Sequence, residues 1–171
     1  MKIILILAAA LAVTASQAHA LTQAEARHAL ASGAYHLYKS EYSWDDVPGA
    51  QVDRLIAAGR YAEALPILHQ LDDNWGEGEN IDFVPDIAMV AAAAGNISEY
   101  TRFHDLAQDI QAAADAHAIC RETADGYALE FPVKITLHDQ EAATSRTCNG
   151  FMADQVVETS PDFAARLRRL G

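Results

Sequence analysis

Cations are scarce in this sequence. Its 171 residues hold 12 lysines and arginines against 24 aspartates and glutamates, a formal net charge of −12. Such a surface repels phosphate backbones and anionic lipid heads, which argues against nucleic acid and membrane surfaces and leaves cationic proteins, peptides or metal ions as the partners charge permits. Cysteine is scarcer still, with only Cys120 and Cys148. They have neither a Cys-x-x-Cys spacing nor a histidine cluster beside them, so a metal or redox pair is the weaker reading of the two thiols. Also lacking are a Gly-x-Ser-x-Gly elbow, a His-Glu-x-x-His helix, a phosphate loop and a dinucleotide fingerprint. No catalytic residues, no metal ligands and no cofactor are therefore assigned.

Long apolar runs are limited to one. Lys2 supplies a positive start, Ile3 to Val13 is apolar but too short to span a bilayer as a helix of about 20 residues, and Ala18-His19-Ala20 offers the small residues a signal peptidase requires. Residues 1–20 are expected to be a cleavable signal peptide, leaving a periplasmic or secreted protein that begins at Leu21. Cleavage removes Lys2, so 11 basic residues face 24 acidic ones and the formal charge becomes −13. No cysteine follows the cleavage site to take a lipid, so no membrane anchor is expected. In an oxidising compartment the two cysteines should pair as a disulfide.

About 150 residues remain, enough for one domain with a core of its own. Thr22 and Glu25 form a capping box, followed by Ala26, Leu30, Gly33 and Leu37 at helical spacing. Tyr35, Tyr38 and Tyr42 make a second stripe on that helix, with Trp44 beyond it. Asp45 to Gly49 breaks the pattern. Val52, Leu55 and Ile56 then give a short helix that stops at Gly59, and Tyr61, Leu65 and Leu68 line the next, which Pro66 should bend slightly. A second pair repeats this layout. Phe83, Ile87, Val90 and Ala94 line one face up to Gly95-Asn96; Ser98 is placed to cap the following helix, which carries Phe103, Leu106, Ile110, Ala113 and His117 and delivers the chain to Cys120.

Gly59-Arg60-Tyr61-Ala62-Glu63-Ala64-Leu65 lines up with Gly95-Asn96-Ile97-Ser98-Glu99-Tyr100-Thr101 at an offset of 36 residues. The first copy resembles a tetratricopeptide-type (TPR-like) repeat through Gly59, Tyr61, Glu63, Ala64 and Leu65. The second keeps Gly95 and Glu99 and has Tyr100 in place of the small alanine. Over about residues 48–118 the resemblance implies a short stack of αα-hairpins that binds protein segments.

The last third changes character. Tyr127, Leu129, Phe131, Val133, Ile135 and Leu137 alternate with outward-facing positions, the signature of one strand with an edge or bulge at Pro132. Ser145 to Met152 is the candidate returning strand, and Ser160-Pro161-Asp162 opens a last helix with Phe163, Leu167 and Leu170 buried. The fold expected is mainly α: antiparallel αα-hairpins over 21–119, then a disulfide-closed β-ribbon and a terminal helix over 120–171.

For function, the acidic stretch Asp72 to Asp82 has the oxygen ligands a hard cation prefers, but it fails the EF-hand register. Counting from Asp72, position six is Glu77 rather than glycine and no glutamate stands at position twelve. Six histidines survive cleavage, scattered singly, although His69 and His104 hold comparable places in the two second helices. The function these features favour is an exported protein-binding or scaffold module. It would grip a partner through an aromatic groove built from some of Tyr35, Tyr38, Tyr42, Trp44, Tyr61 and Trp75, or offer its ribbon edge for strand addition. The alternative is a small secreted hydrolase using acidic-loop carboxylates with a histidine.

Overall fold

The computed structural model describes residues 20–39, 47–74, 80–124, 126–130, 135–136, 148 and 154–171. The architecture is mainly helical with a small antiparallel sheet and a terminal helix. The leader segment 1–19, Tyr42, Trp44, Trp75 and most of Ser145 to Met152 lie outside the described residues.

Helix α1 (Gln23–Ser32) starts as its sequence predicts: Thr22 Oγ1 accepts from the Glu25 amide at 3.3 Å and Glu25 Oε2 accepts from the Thr22 amide at 2.8 Å. It ends a turn earlier than the apolar spacing suggests. Gly33 takes a left-handed φ of 71°, and the Tyr35 amide folds back to the Ala29 carbonyl at 3.0 Å. The αL cap outweighs the continuing pattern because a residue without Cβ stops a helix at no steric cost. Leu37, Tyr35 and Tyr38 are therefore on an irregular segment after α1, not on its face.

Helix α2 (Val47–Ala57) begins inside the cluster expected to break the chain, since Pro48 stands in a first turn that has no use for its missing N–H. Gly59 reverses the chain with φ 71°, and α3 (Tyr61–Asn74) returns alongside α2. Pro66 interrupts α3 on its exposed side, where water can satisfy the freed carbonyl. A 3₁₀ turn (Asn80–Phe83) leads into α4 (Val84–Ala94), and Gly95, φ 81°, turns the chain into α5 (Ile97–Asp115). Asn96, not Ser98, caps α5; its side chain accepts from the Glu99 amide at 3.3 Å. His117 is not on the α5 stripe but in the turn beyond it, with a left-handed φ of 53°.

The largest departure from the sequence pattern is α4. Every residue from Val84 to Ala93 is buried, whereas the spacing of Phe83, Ile87, Val90 and Ala94 suggested one apolar face. A helix apolar all round belongs at the centre of a fold. Helices α1, α3 and α5 and the terminal helix all pack on α4. The carbonyl of Ala93 near its C-terminal end is closed from α1 by Arg27 Nε at 2.8 Å and Gln23 Nε2 at 3.2 Å, and a cation there complements the helix dipole.

The sheet has strand order β3-β2-β1-β4, all antiparallel, with β1 (Ile119–Thr123), β2 (Gly126–Glu130), β3 (Ile135–Thr136) and β4 (Gln155–Val156). Cys120 is thus inside a strand, not at a helix end. The segment read as one long strand is two: Ala128 pairs with Thr136 and Leu129 with Ile135, so the chain reverses between 130 and 135. Pro132, unable to donate to a ladder, falls in that interval. Cys120 is bonded to Cys148, Cα to Cα 5.5 Å. The terminal helix α6 (Phe163–Leu167) buries Phe163, Leu167 and the following Leu170, as expected, in the same cluster as α4 and α5. Ser160 does not cap it; its hydroxyl goes to Asp82 and Asp162 instead. Tyr100 joins the ends of the described chain, accepting from the Leu21 amide at 3.2 Å and donating to the Leu170 carbonyl at 2.7 Å.

Candidate functional site

The two hairpins meet at a cleft of about 450 Å³ between the outer face of α3 and the turn joining α4 to α5. Pro66, Leu65 and Ala62 form one wall; Ala94 and Gly95 form the other. Gly95 is favoured by its backbone, and a side chain there would displace only the end of Gln23. The Gly95 backbone is left-handed, and a Cβ there would stand 2.7 Å from Gln23 Nε2. The polar groups of the cleft form a short chain: Asn96 Nδ2 donates to Glu99 Oε2 at 2.6 Å, and the other carboxylate oxygen of Glu99 meets His69 Nε2. His69 also lies against the Phe103 ring, centroids 5.4 Å apart. Both His69 and Glu99 are about a quarter exposed, enough to face a ligand while held by neighbours. His69 and His104, which hold comparable places in the two second helices, take different carboxylates, Glu99 and Asp105.

A second cluster lies inside the protein. Arg166 of α6 reaches between the 3₁₀ turn and α4: Nη1 donates to Asp86 Oδ1 at 3.0 Å and to the Asp82 carbonyl at 2.5 Å, and Nη2 to Asp82 Oδ1 at 3.2 Å. Asp86, with no exposed surface, also accepts from the Tyr35 hydroxyl at 2.9 Å and the Tyr38 amide at 2.6 Å. The guanidinium carbon lies 5.2 Å from the Tyr38 ring centroid. Two buried carboxylates share one buried guanidinium, so the ionised cluster carries a net negative charge. Burial pushes Asp86 up to about 6 against the pull of Arg166, and raises Asp82 as well. Burial opposes the charge on Arg166, but Asp86, Tyr35 and the other acids hold its pKa above the ordinary value. Burial, then Asp86, drive Tyr35 well above its ordinary value, so it keeps its proton and donates it to Asp86 in a hydrogen bond.

The sign of the pH dependence follows. A carboxyl whose folded pKa is raised supports folding below its unfolded pKa near 4 and loses that contribution as pH rises through about 6. The contribution of Asp86 to stability should fall between about pH 4 and pH 6, and Asp86→Asn should make the slope there less negative by up to about 1.4 kcal/mol per pH unit. Urea titrations at several pH values give the slope directly; parallel profiles for the two proteins would contradict the assignment.

Of the aromatic residues predicted to line a groove, Tyr35 is buried on Asp86, and Tyr38 packs edge-on against Phe83 at 5.6 Å. Tyr61 is buried beneath Arg27, whose guanidinium carbon lies 5.6 Å from its ring centroid, and borders a depression next to the cleft. Tyr35 and Tyr38 thus meet Asp86 and Phe83, and Tyr61 meets Arg27; Tyr42, Trp44 and Trp75 lie outside the described residues. At the ends of the acidic stretch, Asp72 and Asp82 are both buried. Among the described residues no group of three or more His, Cys, Asp or Glu side chains is placed to hold a metal ion, and no helix is long and apolar enough to cross a membrane.

Sequence reasoning missed Asp86 and Arg166, yet both left a trace. Asp86 is the lone charge in Val84 to Ala94, and Arg166 falls between Phe163, Leu167 and Leu170 at helical spacings of three and four, on the buried stripe itself. No family model, curated protein or solved structure matches this chain.

Proposed function

We propose that the chain is an exported, extracytoplasmic binding or scaffold module, built on two TPR-like αα-hairpins and a disulfide-linked ribbon, that holds a segment of a partner protein in the cleft between α3 and the α4–α5 turn. The observation that carries this reading is the cleft's position and lining: it opens where the hairpins meet and offers apolar walls with a few fixed polar groups, the composition of a recognition site. The export signal read in residues 1–20 and the Cys120–Cys148 pair support an oxidising setting.

Selection of a random dodecapeptide library on the mature protein tests it. Peptides should enrich, and their affinity should drop about tenfold or more when the exposed Ala62 of the cleft wall is enlarged in Ala62→Trp. Failure to enrich, or enrichment indifferent to that change, would count against the module. One observation favours a second reading, a small hydrolase: a histidine oriented by a carboxylate can act as general base. The carboxylate is Glu99, not one from the acidic loop, and the cleft lining contains no serine, threonine or cysteine, so the nucleophile would be water. Turnover of a peptide or ester substrate that disappears in His69→Ala would establish this reading in place of the first.

A further inference from the structure

The cleft does not end at the α4–α5 turn. Beside it lies a depression of about 130 Å³ that shares Ala62 and Ala94 with it, and beyond that a third of about 380 Å³ that shares Arg60 and Glu63 with the second. Through these shared residues the three adjoin one another at the turn ends of both hairpins, and the row from Arg54 on α2 to His69 on α3 is here called the furrow. Its charge balance is the reverse of the whole chain's. Three of the 12 lysines and arginines border it, Arg27, Arg54 and Arg60, but only two of the 24 acids, Glu63 and Glu99.

Both acids are already matched. Glu63 is gripped by Arg60 through two bonds, at 2.5 and 2.7 Å, and Glu99 by His69 and Asn96. Arg27 spends Nε on the Ala93 carbonyl while its plane covers Tyr61, and Arg54 stands exposed at the furrow's far end. Matching within the furrow therefore leaves positive charge over, on a protein whose remaining surface is strongly negative. We propose that the furrow takes an extended acidic segment of a partner protein, with carboxylate side chains toward Arg54 and Arg27 and an apolar side chain in the cleft beside Pro66. The overall acidity favours basic partners for the molecule at large; the local excess of cations favours the opposite sign here. Acidic surfaces elsewhere would then repel a misplaced acidic segment and steer it to the one receptive face.

This inference rests on the binding-module reading, and the test separates the two. The dodecapeptide selection is repeated at low salt and the enriched sequences are scored for charge, then bound to the wild-type protein, Arg54→Glu and Arg168→Glu. Arg168 is exposed on the terminal segment, far in sequence from the furrow, and carries the same charge change. Enriched peptides should carry an excess of Asp and Glu, bind about fivefold to tenfold more weakly to Arg54→Glu, bind Arg168→Glu nearly as well as wild type, and weaken as salt is raised. Enriched peptides that are neutral or basic, or an equal loss in both variants, would overturn the acidic assignment while leaving the module intact. If no peptide enriches, both fall.

Discussion

Replacing Arg166 by alanine should lower the unfolding free energy by about 3–5 kcal/mol, the range seen when one partner of a buried ion pair is removed. The guanidinium side chain is 5% exposed and the Asp86 carboxylate not at all, so water cannot take over its role. Truncation leaves Asp86 with only the Tyr35 hydroxyl and the Tyr38 amide, and strips the Asp82 carbonyl and carboxylate of their shared donor. It also removes the cation from the face of Tyr38. At about 2–4 °C per kcal/mol for a domain of this size, the melting temperature should fall by roughly 6–20 °C. Arg166→Lys should recover little, because one ammonium cannot reproduce a fork that reaches Asp82 and Asp86 at once. Combining Arg166→Ala with Asp86→Asn should recover part of the loss by removing one stranded charge. A single-mutant loss under 1 kcal/mol in urea denaturation would mean that Arg166 is not where it is placed.

The second large effect belongs to the sulfur bridge. Cys120 and Cys148 close a loop spanning 28 positions, and chain-entropy arguments assign such a crosslink about 3 kcal/mol. The double variant Cys120→Ser, Cys148→Ser should therefore unfold about 1–3 M earlier in urea, taking a slope of 1–3 kcal/mol per molar. The loss should be felt first in the sheet, since Cys120 sits in β1, the strand that pairs with both β2 and β4. Mass spectrometry of the mature protein gives the complementary check, a gain of two hydrogens on reduction. Free thiols in protein purified under native conditions would remove both the bridge and one support for an extracytoplasmic setting.

The hairpins were legible because their punctuation is local. Gly59 and Gly95 fix two turns by the only backbone conformation that ends each helix cheaply, and the capping box at Thr22 needs nothing beyond four consecutive residues. What the sequence concealed is tertiary. The short apolar stretch of α4 looks the same on one face or all round until its neighbours are known, and Tyr35 and Tyr38 continue a helical spacing that Gly33 has already stopped. The alternation from Tyr127 to Leu137 is real along each arm, but period-two patterning survives a reversal, so one strand and a hairpin read alike. The His69–Glu99 contact joins residues 30 positions apart, and the Arg166–Asp86 contact joins residues 80 apart. Neither distance is encoded in spacing along the chain.

Backbone amide hydrogen exchange of the mature protein, alone and saturated with its tightest selected peptide, addresses the proposed binding face most directly. The amides of Tyr61, Ala62, Ile97 and Ser98 precede the first hydrogen-bonded amides of α3 and α5, which begin at Glu63 and at Glu99 and Tyr100, and should exchange quickly in the free protein. A segment lying in the cleft should slow them, together with residues 94–99, while β1 and β2 stay unchanged. Slowing confined to the sheet, with the first turns of α3 and α5 unaffected, would place recognition on the ribbon and contradict the cleft.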